Sequence, residues 1–130
     1  MNNYDVIVVG AGPAGVSAAL EMSQAGAKVL LLDEQSSPGG QIYRSITKTS
    51  PELLSALGPS YSEGASLVNK LAPSKVHYQP CATVWQFGDD GILLYSVDGQ
   101  VTQATGKHVI LATGALERPV PIPGWTLPGV

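Results

Sequence analysis

The sequence predicts an α/β fold with a parallel sheet, and three observations predict it. The apolar run Val6-Ile7-Val8-Val9 leads directly into a glycine-rich turn, Gly10-Ala11-Gly12-Pro13-Ala14-Gly15. A small-residue helical stretch, 16–25, follows and stops at Gly26. A second apolar run, 29–32, then closes on Asp33. Apolar runs of this length without polar alternation are strands buried on both faces, the pattern of parallel sheets covered by helices.

The order strand, turn, helix, strand, acid is also a dinucleotide-binding fingerprint, and each part has a physical task. Gly10 permits the tight turn out of the strand, Gly12 lets backbone approach a pyrophosphate, and Gly15 lets the helix pack on the strand. The helix start turns unpaired N–H groups and a positive dipole end toward the phosphates, beside Pro13 and Ala14. Asp33 stands at the carboxyl end of the second strand, where a carboxylate accepts from a ribose hydroxyl, and it is expected to do so in preference to Glu34. The fingerprint does not separate FAD from NAD, because both carry an adenosine diphosphate half.

The remaining elements follow in order. Residues 34–40 read as a loop ending in Pro38-Gly39-Gly40-Gln41. Ser50 caps a short helix with Pro51 at its first position, and Gly58-Pro59 ends it. A second helix is expected over 62–72 and a short strand over 76–78. Three β segments, 82–87, 92–97 and 101–104, are separated by Asp90-Gly91 and Asp98-Gly99, both hairpin-turn pairs, and read as an antiparallel three-stranded meander. A separate buried strand, 109–112, ends in Thr113-Gly114 and is expected beside the first strand. Pro119, Pro121, Pro123 and Pro128 keep the tail extended, without regular structure.

Composition bounds the partners. The chain has 130 residues, 44% hydrophobic and 13% charged, with a formal net charge of −3. That length holds one domain. The acidic balance and scattered cations argue against nucleic acid as a partner. No apolar stretch is long enough for a membrane span, and no secretory leader is evident, so a cytoplasmic setting is expected. The single cysteine, Cys81, excludes an internal disulfide and reads as a buried thiol. No metal-ligand spacing, carboxylate pair or nucleophile elbow is present, and no catalytic residue is named. His77 and His108 lie at strand positions and read as sheet histidines; Tyr43 and Trp85 read as packing aromatics.

Several segments together carry a family likeness. Residues 4–15, Leu31-Leu32-Asp33-Glu34-Gln35, Gly39-Gly40-Gln41-Ile42-Tyr43-Arg44 and Ala112-Thr113-Gly114-Ala115 resemble the FAD/NAD(P)-binding flavoproteins of the glutathione-reductase and thioredoxin-reductase type. The wording of 33–44 and 115–130 is narrower. It is similar to the larger subunit of bacterial amine and amino-acid dehydrogenases, a group with D-hydroxyproline dehydrogenase, opine oxidase and hydrogen cyanide synthase subunits. The resemblance implies a Rossmann-like FAD-binding three-layer fold. It also implies that Gly10, Gly12, Pro13, Ala14 and Gly15 hold the FAD pyrophosphate, and that Asp33 binds the adenosine ribose with Glu34 and Gln35 beside it. By the same likeness Gly39, Gly40 and Gln41 lie along the flavin half, and Arg44 adds charge near the phosphates. The Val84 backbone meets the adenine, and Ala112, Thr113 and Gly114 close over the pyrophosphate.

Such proteins run longer. The resemblance therefore implies that residues 1–115 are the N-terminal part of a discontinuous FAD-binding domain and 116–130 a connecting segment, with an NAD(P)-like domain and a returning strand elsewhere. Without that returning strand, its place beside 109–112 is expected to be an open edge through which the chain self-associates. The expected activity is oxidation of an amino acid or secondary amine, and the expected partner is a second oxidoreductase subunit. An NAD(P)H-dependent flavin reductase and a non-catalytic nucleotide-binding assembly module are the alternatives.

Overall fold

A computed structural model describes residues 2–116, 121–124, 126 and 127. Six strands form one sheet in the order β3-β2-β1-β6-β5-β4. β1 (Asn2–Val9), β2 (Val29–Leu32) and β3 (His77–Gln79) are parallel. β4 (Ala82–Phe87), β5 (Ile92–Val97) and β6 (Gln100–Leu111) form the antiparallel meander. Among the described residues there are three α-helices: α1 (Pro13–Gln24), α2 (Pro51–Leu57) and α3 (Pro59–Asn69).

The alternation of side chains along β1 and β2 sorts the interior into two cores. Val6, Val8, Val29 and Leu31 face α1, where Val16, Ala19 and Leu20 meet them. Ile7, Leu30 and Leu32 face the other way, onto Ala82, Leu93 and Tyr95 of the meander. The sheet therefore curls until β4 and β5 lie over β1 and β2, and the Ala82 N–H donates to the Asp33 carbonyl at 2.8 Å. Helices, parallel sheet and meander make the expected Rossmann-like α/β fold of three layers.

Local expectations are met at α1, β2 and α2. Ser50 caps α2 by accepting from Leu53 N–H at 3.3 Å. Gly58, at φ +88°, ends α2 and begins α3, with Pro59 in its first turn, so the second helix starts three residues before the expected 62.

Two readings need correction. The third meander segment and the strand beside β1 are not separate: β6 is one twelve-residue strand. Its first half pairs with β5, and its length from Ala104 to Leu111 runs parallel to β1. The polar stretch Thr105-Gly106-Lys107-His108, which reads as a break, lies inside that strand, where its pairing passes from β5 to β1. A Cβ on Gly106 would stand 2.8 Å from the buried Ile7 side chain, which would have to shift to admit it. Cys81 is exposed rather than buried, in the turn from β3 to β4, with φ +55°. Of the tail, 121–124, 126 and 127 hold no helix or strand; Pro119 and Pro128 lie outside the described residues.

Candidate dinucleotide-binding site

The carboxyl ends of β1, β2 and β6 open onto one cavity of about 800 Å³. This is where ligands bind in open parallel sheets. Gly10, Gly12, Pro13, Ala14, Asp33, Glu34, Gln35, Gly40, Gln41, Arg44, Val84, Ala112, Thr113 and Gly114 all line it. Gly15 and Gly39 stand behind the wall.

The glycines divide by what a side chain would meet. Gly10 has φ +103°, and a Cβ there would lie 2.3 Å from the Ala112 carbonyl oxygen. A Cβ on Gly15 would lie 1.8 Å from the Gly10 carbonyl oxygen. Both positions require glycine for the fold itself. A Cβ on Gly12 meets only the Gly40 Cα, at an ordinary 3.9 Å, and otherwise projects at the cavity. The packing of the protein itself therefore does not require glycine at position 12. Gly39 and Gly40 dock the second loop on the first: Gly39 N–H donates to the Ala11 carbonyl at 2.8 Å, and a Cβ on Gly40 would press on Gly12.

Asp33 is 7% exposed. Its Oδ2 accepts from Ala11 N–H at 2.7 Å and its Oδ1 from Gln35 N–H at 2.8 Å. Glu34 beside it is exposed and lines the cavity, with only a long 3.4 Å contact from Gln35 Nε2. Behind them the Tyr78 hydroxyl is buried without a partner among the described residues. Burial, with the Asp33 charge and then Cys81 adding to it, pushes that phenol far above its usual range.

Two cations, Arg44 and Lys48, also line the cavity. Arg44 is held by Gln41 Oε1 at 2.5 Å. Lys48 is absent from the residues the sequence singled out. Ser36, Ser37 and Thr83 also line the wall and carried no motif. Tyr43 packs on Gly64 of α3 and edge-on to Tyr61, while Trp85 is 52% exposed at the β4 bulge. His77 and His108 lie in β3 and β6.

A dinucleotide fits these groups. The first-turn amides of α1 have no carbonyl to bond within the helix, the wall at Gly12 has room for close approach, and both cations and acids line the cavity. The described residues contain no cluster of three metal-ligating side chains, and no helix long and apolar enough to cross a membrane.

The chain is similar to known proteins over nearly its whole length. The chain is 47% identical to the A subunit of the opine oxidase of Agrobacterium tumefaciens (strain Ach5), over 98% of this chain and 27% of that protein. It is 36% identical to the HcnB subunit of the hydrogen cyanide synthase of Pseudomonas protegens, over 95% and 27%. The crystal structure of L-proline dehydrogenase from P. horikoshii superposes with a TM-score of 0.72 at 26% identity, over 91% of this chain and 24% of that one. The chain thus spans about a quarter of the length of these relatives. The profile of the pyridine nucleotide-disulphide oxidoreductase family matches residues 4–129, and the chain belongs to that family.

Proposed function

We propose that this chain forms the adenosine-diphosphate side of an FAD site in a flavin-dependent oxidoreductase subunit that acts in amino-acid or secondary-amine oxidation. The observation that carries the reading is Gly12: on the cavity wall, a Cβ there has room in the protein, so the fold itself does not call for the glycine, whereas backbone that must approach a pyrophosphate closely does. In this reading Gly10, Gly12, Pro13, Ala14 and Gly15 cradle the phosphates. The acids that end β2 take the ribose, with Gln35 beside them. The Val84 backbone meets the adenine, and Ala112, Thr113 and Gly114 close the mouth. Gly39, Gly40 and Gln41 lead toward the flavin half, and Arg44 supplies charge. FAD, when bound, accepts the hydride; the protein orients it and excludes water.

The names of the relatives support the reaction class, and their naming as subunits supports a partner of the same kind, a second oxidoreductase subunit. The structure supports a further part of the reading. Among the described residues, β6 beyond Gly106 pairs only with β1, leaving an outer edge that ends at Leu111, 71% exposed. We read residues 1–115 as part of a discontinuous FAD domain, 116–130 as its connecting segment, and the edge as the place of a further strand. An NAD(P) site belongs to polypeptide outside this cavity.

The test is titration of the purified chain with FAD and with ADP, followed by flavin absorbance, together with sedimentation. Uptake of flavin, an affinity for FAD close to that for ADP, and concentration-dependent association are expected. A chain that takes up NAD and no flavin overturns the cofactor. A strict monomer that binds FAD far more tightly than ADP overturns the shared-domain reading.

A further inference from the structure

We propose that Asp33 is a positioning residue that holds the glycine loop for the phosphates, and that Glu34 is the residue that takes the adenosine ribose. This rests on the dinucleotide reading of the cavity and divides its acidic end into two tasks. Asp33 was the expected ribose acceptor, but its two oxygens already receive two backbone N–H groups, from Ala11 at 2.7 Å and Gln35 at 2.8 Å. The residue is also buried. A buried carboxylate is costly unless such charge-assisted bonds offset the desolvation. These bonds have a structural target. Ala11 lies between Gly10 and Gly12, the two residues whose backbone is freest.

The Ala11 peptide is clamped on both sides. Its N–H is held by Asp33 and its carbonyl by Gly39 N–H at 2.8 Å, while its methyl is fully buried. With that peptide fixed, Gly12 has one orientation toward the cavity. Ala11 N–H, spent on Asp33, is not offered to a phosphate. The main chain around Asp33 is anchored as well: its N–H donates to the Gln79 carbonyl, and Cys81 N–H donates to the Gln35 carbonyl. The loop, β2, β3 and the start of β4 therefore meet at this residue. Glu34 is the other carboxylate on this wall, exposed and, among the described residues, with only the long Gln35 contact on Oε1, so its carboxylate is open to vicinal hydroxyls.

The two roles separate by ligand preference. The full chain, freed of bound nucleotide, is titrated with ADP, adenosine and 2′,3′-dideoxy-ADP. ADP over adenosine reads the phosphate cradle; ADP over the dideoxy analogue reads the ribose contact. Glu34→Ala is expected to erase the ribose preference and keep the phosphate preference. Asp33→Asn is expected to lower the phosphate preference by roughly tenfold or more, the scale of a lost charge-assisted bond, and keep the ribose preference. The reverse pattern, or a Glu34→Ala protein that still discriminates against the dideoxy analogue, overturns the proposal. Should Asp33→Asn fail to fold, the Glu34 arm decides the ribose role. Hydrogen exchange in the unliganded parent then decides the positioning role: a slow Ala11 amide is expected, and a fast one overturns it. A parent chain with no preference for ADP over adenosine refutes instead the dinucleotide reading on which this rests.

Discussion

The two ends of the parallel sheet are built by different means. At the carboxyl end the parts that fix the geometry are backbone: Gly10, Gly15, Gly39 and Gly40 each allow main chain to touch main chain or a neighbouring loop, and the one carboxylate in the joint, Asp33, is buried and binds only N–H groups. At the amino end the parts are side chains. Tyr4 shares a 2.5 Å hydrogen bond with His77 and lies under the Lys28 ammonium, and Asp5 accepts from Lys107 Nζ at 2.7 Å and from Lys28 N–H at 2.9 Å. A backbone joint cannot relax around an added atom, whereas exposed side chains rearrange and water replaces them. The carboxyl end should therefore be brittle and the amino end tolerant.

The largest effect is expected at Gly15. Its Cβ would sit 1.8 Å from a carbonyl oxygen with no flexible group to yield. Gly15→Ala should cost more than about 3 kcal/mol, beyond ordinary overpacking, because β1 and α1 must separate. Urea unfolding measures it, and an unchanged midpoint would show that this joint does relax.

Gly12→Ala sharpens the contrast within the same loop. With its nearest neighbour at 3.9 Å, the new methyl should leave circular dichroism and the unfolding midpoint close to the parent's. Nucleotide binding should be lost, because the methyl stands where a phosphate would. A folded variant with parental ADP affinity would remove Gly12 from the cradle.

The fold roles of Gly10 and Gly15 were legible from sequence because a glycine pattern encodes backbone, and the carboxyl end is made of backbone. β2 was legible for a similar reason: four consecutive apolar residues admit only a strand covered on both faces, and all four are buried. The tasks of Gly39 and Asp33 were not legible. They depend on two loops that meet only in three dimensions, Gly39 on Ala11 and Asp33 on Ala11 and Gln35. Lys48 escaped for the same reason, since its place on the wall is set by the turn at 46–48 and not by any motif. The continuity of β6 was hidden by Lys107 and His108, whose polarity suggested a break although they are exposed strand residues.

At the amino end the expected effects shrink. Tyr4→Phe removes one hydroxyl and leaves His77 Nδ1 without its partner. The pair is only part-buried, and water can reach the ring, so about 1 kcal/mol is expected, the net worth of one hydrogen bond. Thermal unfolding of the variant checks it. A loss as large as that for Gly15→Ala would erase the distinction between the two ends.

The smallest effect belongs to Asp5. The hydrogen bond from Lys107, then that from Lys28 N–H, holds its carboxyl below the usual carboxylate range. A lowered folded-state pKa adds stability above the unfolded-state value, near 3.9 for a free aspartate, and that stability is lost as pH falls through the folded value. The Lys107 side chain is 74% exposed and that of Asp5 38%, so salt screens the pair. Asp5→Asn should therefore lower Tm slightly at neutral pH and low salt. The difference from the parent should shrink when salt is added, and shrink again when the pH falls below the folded-state pKa, where both proteins carry an uncharged group. Melting curves at two salt concentrations and two pH values measure all of this. A deficit that survives high salt and low pH would mean that the Lys28 N–H bond, a backbone joint after all, does the work at this end too.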